Sequence, residues 1–260
     1  MKIALIQMDV KIGDPEFNFK HAESLMNQAM ENEPDVMILP EMWNTGYDLE
    51  RANEIADEDG KRTKDMLSSF AKKHCVMVIG GSILTLHSES EDVTNTMFVF
   101  SRTGEELLSY DKIHLFRLMD EHKFLKAGNK IGLIEWEEIK IGLMICYDLR
   151  FPQLSRKLVN DGAKLLVNVA QWPTARVDHW KHLLIARAIE NQSFVVAVNR
   201  CGKSGDTDFP GHSMVIDPLG KIVLEGNKNE EIYHVDINID DVNEVRGHIP
   251  VITDQRLDLY

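Results

Sequence analysis

Cysteine, basic residues and long apolar runs are all scarce in this sequence, and each scarcity excludes something. The three cysteines, Cys75, Cys146 and Cys201, are odd in number and show no CxxC spacing. Disulfide scaffolding and zinc binding are therefore not expected, no metal or other cofactor is implied, and free thiols suit a reducing cytoplasm. No apolar run approaches the roughly 20 residues that cross a bilayer. The opening MKIALIQMDV is too short an apolar run for a signal peptide and reads as a first strand. Lys and Arg number 29 against 42 Asp and Glu, a formal net charge of −13 that disfavours nucleic acid and anionic membrane as partners. An anionic substrate would need local cations to overcome that background. Nothing rich in Pro, Gly or Ser divides the chain, so residues 1–260 are expected to form one domain.

What is present is an alternation of strands and helices. Hydrophobic residues make up 43% of the chain, enough at this length for a sizeable core. Asp14-Pro15 starts a helix, with a capping side chain followed by proline at the first position. Ala22, Leu25, Met26 and Ala29 then share one helical face. DVMILPE, VMVIGGSI, KIGLMIC, KLLVNVA and FVVAVNR read as buried strands, and VDHWKHLLIARAIENQ reads as a long amphipathic helix. NTMFVFS and ELLSYD flank a hairpin turn at Arg102-Thr103-Gly104, and Pro218-Leu219-Gly220 makes a second turn. Hairpins within the alternation favour a mixed-sheet, layered α/β fold. The last twenty residues, 241–260, read as an extended tail packed on a partner subunit.

Cys146 stands where a strand gives way to a helix, with Tyr147, Asp148 and Arg150 directly after it. Such a junction aims backbone amides outward and favours negative charge, which suits a reactive thiol and a developing oxyanion. Cys75 and Cys201 adjoin apolar strands and read as core cysteines. A nucleophilic thiol needs a base and an electrophilic helper. Glu41 closes an apolar strand in ILPEMW, and Lys112 lies just past a strand in SYDKIHLF. Taken singly, each also fits a solvated loop charge. Together with Cys146 they place three chemistry-bearing side chains at strand ends, where α/β sites form.

LPEMWNTGY, YDKIHLF and GLMICYDLRFP together resemble the nitrilase (carbon–nitrogen hydrolase) superfamily. EHKFLKAG, RAIENQSFVVAVNR and GHSMVIDPLG extend the resemblance over nearly the whole chain. The resemblance implies a four-layer α-β-β-α sandwich and a homodimer or multiple of dimers. It maps Glu41, Lys112 and Cys146 onto a catalytic triad, Glu121 onto a supporting glutamate, and the Tyr147 backbone amide onto the oxyanion site. CYDLRFP and QWPTARVDHW most resemble the omega-amidase branch. The implied reaction opens the omega-amide of a small dicarboxylic acid, 2-oxoglutaramate-like, through a thioester to acid and ammonia. A hydrolase of carbamoyl amines or simple aliphatic amides is the alternative, and a catalytically silent dimeric ligand-binding protein is another.

An omega-amide substrate carries its own carboxylate, for which Arg150 and Arg176 are the candidate partners. Arg150 fits a structural ion pair under the nucleophile turn equally well, and Arg176 fits a structural role slightly better than a substrate contact. Trp43 and Trp172 are candidate pocket walls, and Trp180 a further one, although tryptophan serves more often as core. His179 and His182 lie three apart on one helix but have no further ligand cluster beside them. AVNRCGKS nearly spells a phosphate loop. Ala197 replaces its first glycine and no helix start follows, so it reads as a loop.

Overall fold

The computed structural model describes residues 1–259 and holds two mixed sheets packed face to face. In the first, three parallel strands, Lys2–Gln7, Val36–Ile38 and Met77–Ile79, lie side by side. Glu231–Asp236 pairs antiparallel on one flank and Val93–Phe100 on the other, and Glu106–Asp111 runs back along Val93–Phe100. The second sheet is built the same way around parallel Ile139–Ile145, Leu165–Ala170 and Phe194–Asn199. Gly132–Trp136 and Met214–Ile216 flank these three antiparallel.

Side-chain alternation explains the layering. Along the first strand Ile3 and Leu5 point into the seam between sheets, where they join Ile141, Leu143, Ile145 and Val167. Ala4 and Ile6 point the other way, onto Phe19, Leu25 and Met26 of the Pro15–Ala29 helix and Leu67 of the Lys61–His74 helix. Strands apolar on both faces must be covered on both faces. On the outside of the second sheet the Pro152–Asn160 and Val177–Asn191 helices lay down Leu154, Leu158, Trp180 and Leu184. The result is the expected four-layer α-β-β-α sandwich. Asp14 caps the first helix, its side chain accepting from the Phe17 amide at 3.0 Å.

Two expectations need correction. The 241–260 segment is not extended throughout: Asp241–His248 is helical. Val242 is buried there, and Arg246 donates to the carbonyls of Ala163, Asn191 and Gln192, so tertiary contacts hold a stretch of weak helix formers. Cys75 is exposed, because it takes the left-handed position that ends the Lys61–His74 helix. The segment after AVNR forms a hairpin, Cys201–Ser204 against Thr207–Pro210, which confirms that no phosphate loop is present there.

Candidate active site

The chemistry-bearing groups meet at the carboxyl ends of strands from both sheets. Glu41 follows the Val36–Ile38 strand, Lys112 follows Glu106–Asp111, and Cys146 follows Ile139–Ile145. Glu41, Lys112 and Glu121 have no exposed side-chain surface. The Lys112 ammonium donates to Glu41 Oε1 at 2.9 Å and to Glu121 Oε1 at 2.7 Å. Glu41 Oε1 also accepts from Asn95 Nδ2 at 2.8 Å, and Glu41 Oε2 accepts from the Gln171 amide at 2.8 Å. Glu121 Oε2 accepts from the Phe116 amide at 2.7 Å. The Tyr47 hydroxyl sits 2.8 Å from Glu41 Oε1 and 2.7 Å from Glu121 Oε1.

Opposing effects set the state of this cluster. Burial works against the Lys112 charge, but Glu41 first and Glu121 after it outweigh that cost, so the pKa rises and Lys112 stays an ammonium. Burial, then the Glu41 carboxylate, push the Cys146 thiol well above its ordinary range, with Lys112 opposing. Cys146 therefore rests as a thiol and needs a base to become a nucleophile. Its backbone is left-handed, with φ of +48°, an unfavourable conformation for a side chain with a Cβ.

Asp148 holds that conformation. It is fully buried, and it accepts from Ile145 N at 3.0 Å, His114 N at 3.0 Å, His114 Nδ1 at 2.7 Å and the Tyr110 hydroxyl at 2.7 Å. The turn carrying the thiol is thus tied to the Glu106–Asp111 strand and to the loop that carries Lys112. His114 in turn stacks on Phe151, centroids 3.6 Å apart.

A narrow pocket opens onto Cys146, lined by Tyr47, Phe116, Tyr147, Trp172, Arg150 and Arg176 among others. Arg150 lies over the Trp172 ring at 4.7 Å and Arg176 over Phe116 at 5.3 Å. Among the described residues neither guanidinium has a carboxylate partner. Arg150 reaches only the His179 ring, at 3.3 Å. Partial burial lowers the Arg150 pKa, with Arg176 adding to the effect and Tyr147 opposing it.

Of the residues expected at the site, Glu41, Lys112, Glu121, Cys146, Tyr147, Arg150, Arg176 and Trp172 do converge. Trp43 does not. Its indole donates to the Gly80 carbonyl at 2.8 Å and packs edge-on against Phe19, on the helix side of the first sheet. Trp180 is also core, bonded to the His212 carbonyl. His182 is spent on the Asp178 carbonyl one turn back, and no metal-holding group of side chains occurs among the described residues. Tyr47, Asn95, Gln171 and Asp148 were not anticipated. Tyr47 lies within LPEMWNTGY itself, but the partners of Asn95 and Gln171 are over fifty positions away in sequence.

The sequence and fold have known relatives. The carbon–nitrogen hydrolase family model matches residues 2–247. The chain belongs to that family. It is 45% identical to the 2-oxoglutaramate amidase of Bacillus subtilis, over 99% of this chain and 98% of that protein. It is 38% identical to the Escherichia coli omega-amidase YafV, over 88% of this chain and 86% of that one. The crystal structure of Saccharomyces cerevisiae Nit3, from branch 10 of the nitrilase superfamily, superposes with a TM-score of 0.92 at 29% identity. That superposition covers 99% of this chain and 96% of Nit3.

Proposed function

We propose that this carbon–nitrogen hydrolase is an omega-amidase that converts the amide of a small dicarboxylic acid, 2-oxoglutaramate or a close analogue, to acid and ammonia. The observation that carries the reading is the pair of guanidinium groups, Arg150 and Arg176, beside Cys146 with no carboxylate of the described chain against them. Unsatisfied cations at the mouth of a pocket favour an anionic ligand, and bidentate pairing with a carboxylate suits an arginine. The named activities of the Bacillus subtilis and Escherichia coli relatives support the same substrate class.

In this mechanism Cys146 sulfur attacks the amide carbon as Glu41 takes the thiol proton. The new oxyanion is stabilised by the Lys112 ammonium and the Tyr147 backbone N–H, which meet charge absent from the ground state. Collapse of the intermediate breaks the carbon–nitrogen bond. Glu41 returns its proton to the departing nitrogen, ammonia leaves, and a thioester remains. Water then attacks the thioester, Glu41 taking its proton, and the second intermediate expels the sulfur. Glu41 reprotonates Cys146 and the acid is freed. Because burial above all keeps Cys146 a thiol, its proton has to leave as the sulfur attacks, and Glu41 is the group that takes it.

Ammonia release from a panel of 2-oxoglutaramate, succinamate, glutamine and a carbamoyl amine tests the proposal. The expected result is fastest turnover of the omega-amides of oxo and simple dicarboxylic acids, and none with Cys146→Ala. Preference for the carbamoyl compound would replace the reading.

A further inference from the structure

The Tyr47 hydroxyl touches two carboxylate oxygens, at 2.8 Å on Glu41 and 2.7 Å on Glu121, and it owns one hydrogen. Every other contact in the cluster has a nitrogen that brings its own hydrogen: Lys112, Asn95, and the Gln171 and Phe116 amides. The two oxygen–oxygen contacts need two hydrogens and the phenol supplies one. With both carboxylates ionised, one contact would set lone pair against lone pair at hydrogen-bond distance. The charge count agrees. One ammonium and two carboxylates, all without exposed surface, would bury a net negative charge, which is costly.

Donor counting locates the missing hydrogen. Glu41 Oε1 already accepts from Lys112 and Asn95, and Oε2 from Gln171, so each of its oxygens is engaged by an N–H. Glu121 also has both oxygens engaged, Oε1 by Lys112 and Oε2 by the Phe116 amide, but that is two N–H donors against the three on Glu41, so Glu41 is the better stabilised anion of the two. We infer that Glu121 rests as a neutral carboxylic acid, donating to the Tyr47 oxygen, while Tyr47 donates to an ionised Glu41. Tyr47 is thereby a positioning residue at the wall of the pocket, acting through Glu41. It keeps the base charged and passes on to it the hydrogen-bond strength of a buried acid. A neutral Glu121 also leaves the Lys112 field uncancelled by a second anion, so it can act on the oxyanion. This consequence for turnover rests on the amidase reading; the proton count does not.

Infrared spectroscopy of the full-length protein at neutral pH, with carbon-13 in its glutamate side chains, tests the inference. Wild type is expected to show a protonated-carboxyl C=O stretch that moves with the label and shifts in heavy water. Glu121→Gln should abolish the band and Glu41→Gln should retain it. In Tyr47→Phe, which keeps the ring and its packing, the band should move to higher frequency as its acceptor is lost. In the same variant kcat should fall about tenfold or more, the scale of one hydrogen bond to a charged group, with KM little changed. A label-sensitive protonated band absent from wild type would overturn the inference, whether or not the glutamine variants fold. A band lost in Glu41→Gln and kept in Glu121→Gln would overturn it too. Loss of the amidase reading would show differently, as no ammonia from any amide while the band remains.

Discussion

At the scale of single residues, the proposed mechanism divides the pocket into groups that make chemistry and groups that choose the substrate. Lys112 and Glu41 are locked by three or more hydrogen bonds each, which holds them where the reacting atoms will be. Arg150 and Arg176 lie over ring faces instead, and apart from the contact of Arg150 Nη2 with His179 no carboxylate of the described residues occupies their N–H edges. Replacing Arg150 with Met should therefore act on binding. KM for an omega-amide of a dicarboxylic acid should rise roughly 10- to 100-fold, the worth of one charge-assisted contact, while a neutral amide is affected little. Steady-state kinetics on the paired substrates checks it, and equal losses on both would place Arg150 under the nucleophile turn as a structural group. Glu41, Lys112 and Cys146 were legible because each sits inside a recognisable motif at a strand end. Trp43 was misplaced because spacing does not say which side of a sheet a ring takes once Met42 turns left-handed, at φ of +43°.

At the scale of elements, the strand exits do the positioning. Gly81 shows how closely they pass. Its φ is +62°, and a Cβ there would lie 2.1 Å from the Pro40 carbonyl oxygen, one residue before Glu41. The Ser82 amide and hydroxyl then bond the Pro40 carbonyl and the Met42 amide, so the two exits brace each other. Gly81→Ala should cost at least about 1–3 kcal/mol from the left-handed backbone. It should also displace Glu41, so thermal denaturation and kcat are expected to fall together. A variant with lowered Tm and unchanged kcat would show that the base does not depend on this crossing. Elements held by their own pattern, such as the Pro15–Ala29 helix, were readable from sequence. The Asp241–His248 helix was not, since Asp, Asn and Gly are poor helix formers and its stability comes from Arg246 reaching carbonyls some fifty to eighty positions away. The Gly132–Trp136 strand went unread between polar flanks.

At the scale of the whole molecule, titration and assembly are open to measurement. Burial first raises the pKa of Tyr47, Tyr110, Cys146 and Cys201, the last to about 12. The unfolded chain would release these protons near the ordinary thiol and phenol values of 9.0 and 10.0, while the folded chain still holds them. Their contribution is thus complete below about pH 9 and is lost as pH rises through the folded values. Tm is expected to decline steadily above that point, and a flat Tm through pH 11 would contradict the burial of these groups. For assembly, Ile249, Leu257 and Leu259 expose 59%, 66% and 69% of their surface in the last twelve residues. We propose that this segment meets a second copy of the chain in a homodimer. Light scattering of a chain ending at residue 248 should then give a lower mass than the full chain, and an unchanged mass would locate the contact elsewhere.

The seam between the sheets has one more consequence. Base and ammonium come from one sheet, sulfur from the other, and Gln171 reaches across to Glu41 through both its main-chain and side-chain nitrogens. Catalysis therefore works as a gauge of how the two halves of the sandwich are registered. Gentle heating or dilute denaturant that lets one layer slip by an ångström should silence ammonia production while circular dichroism still reports intact strands and helices.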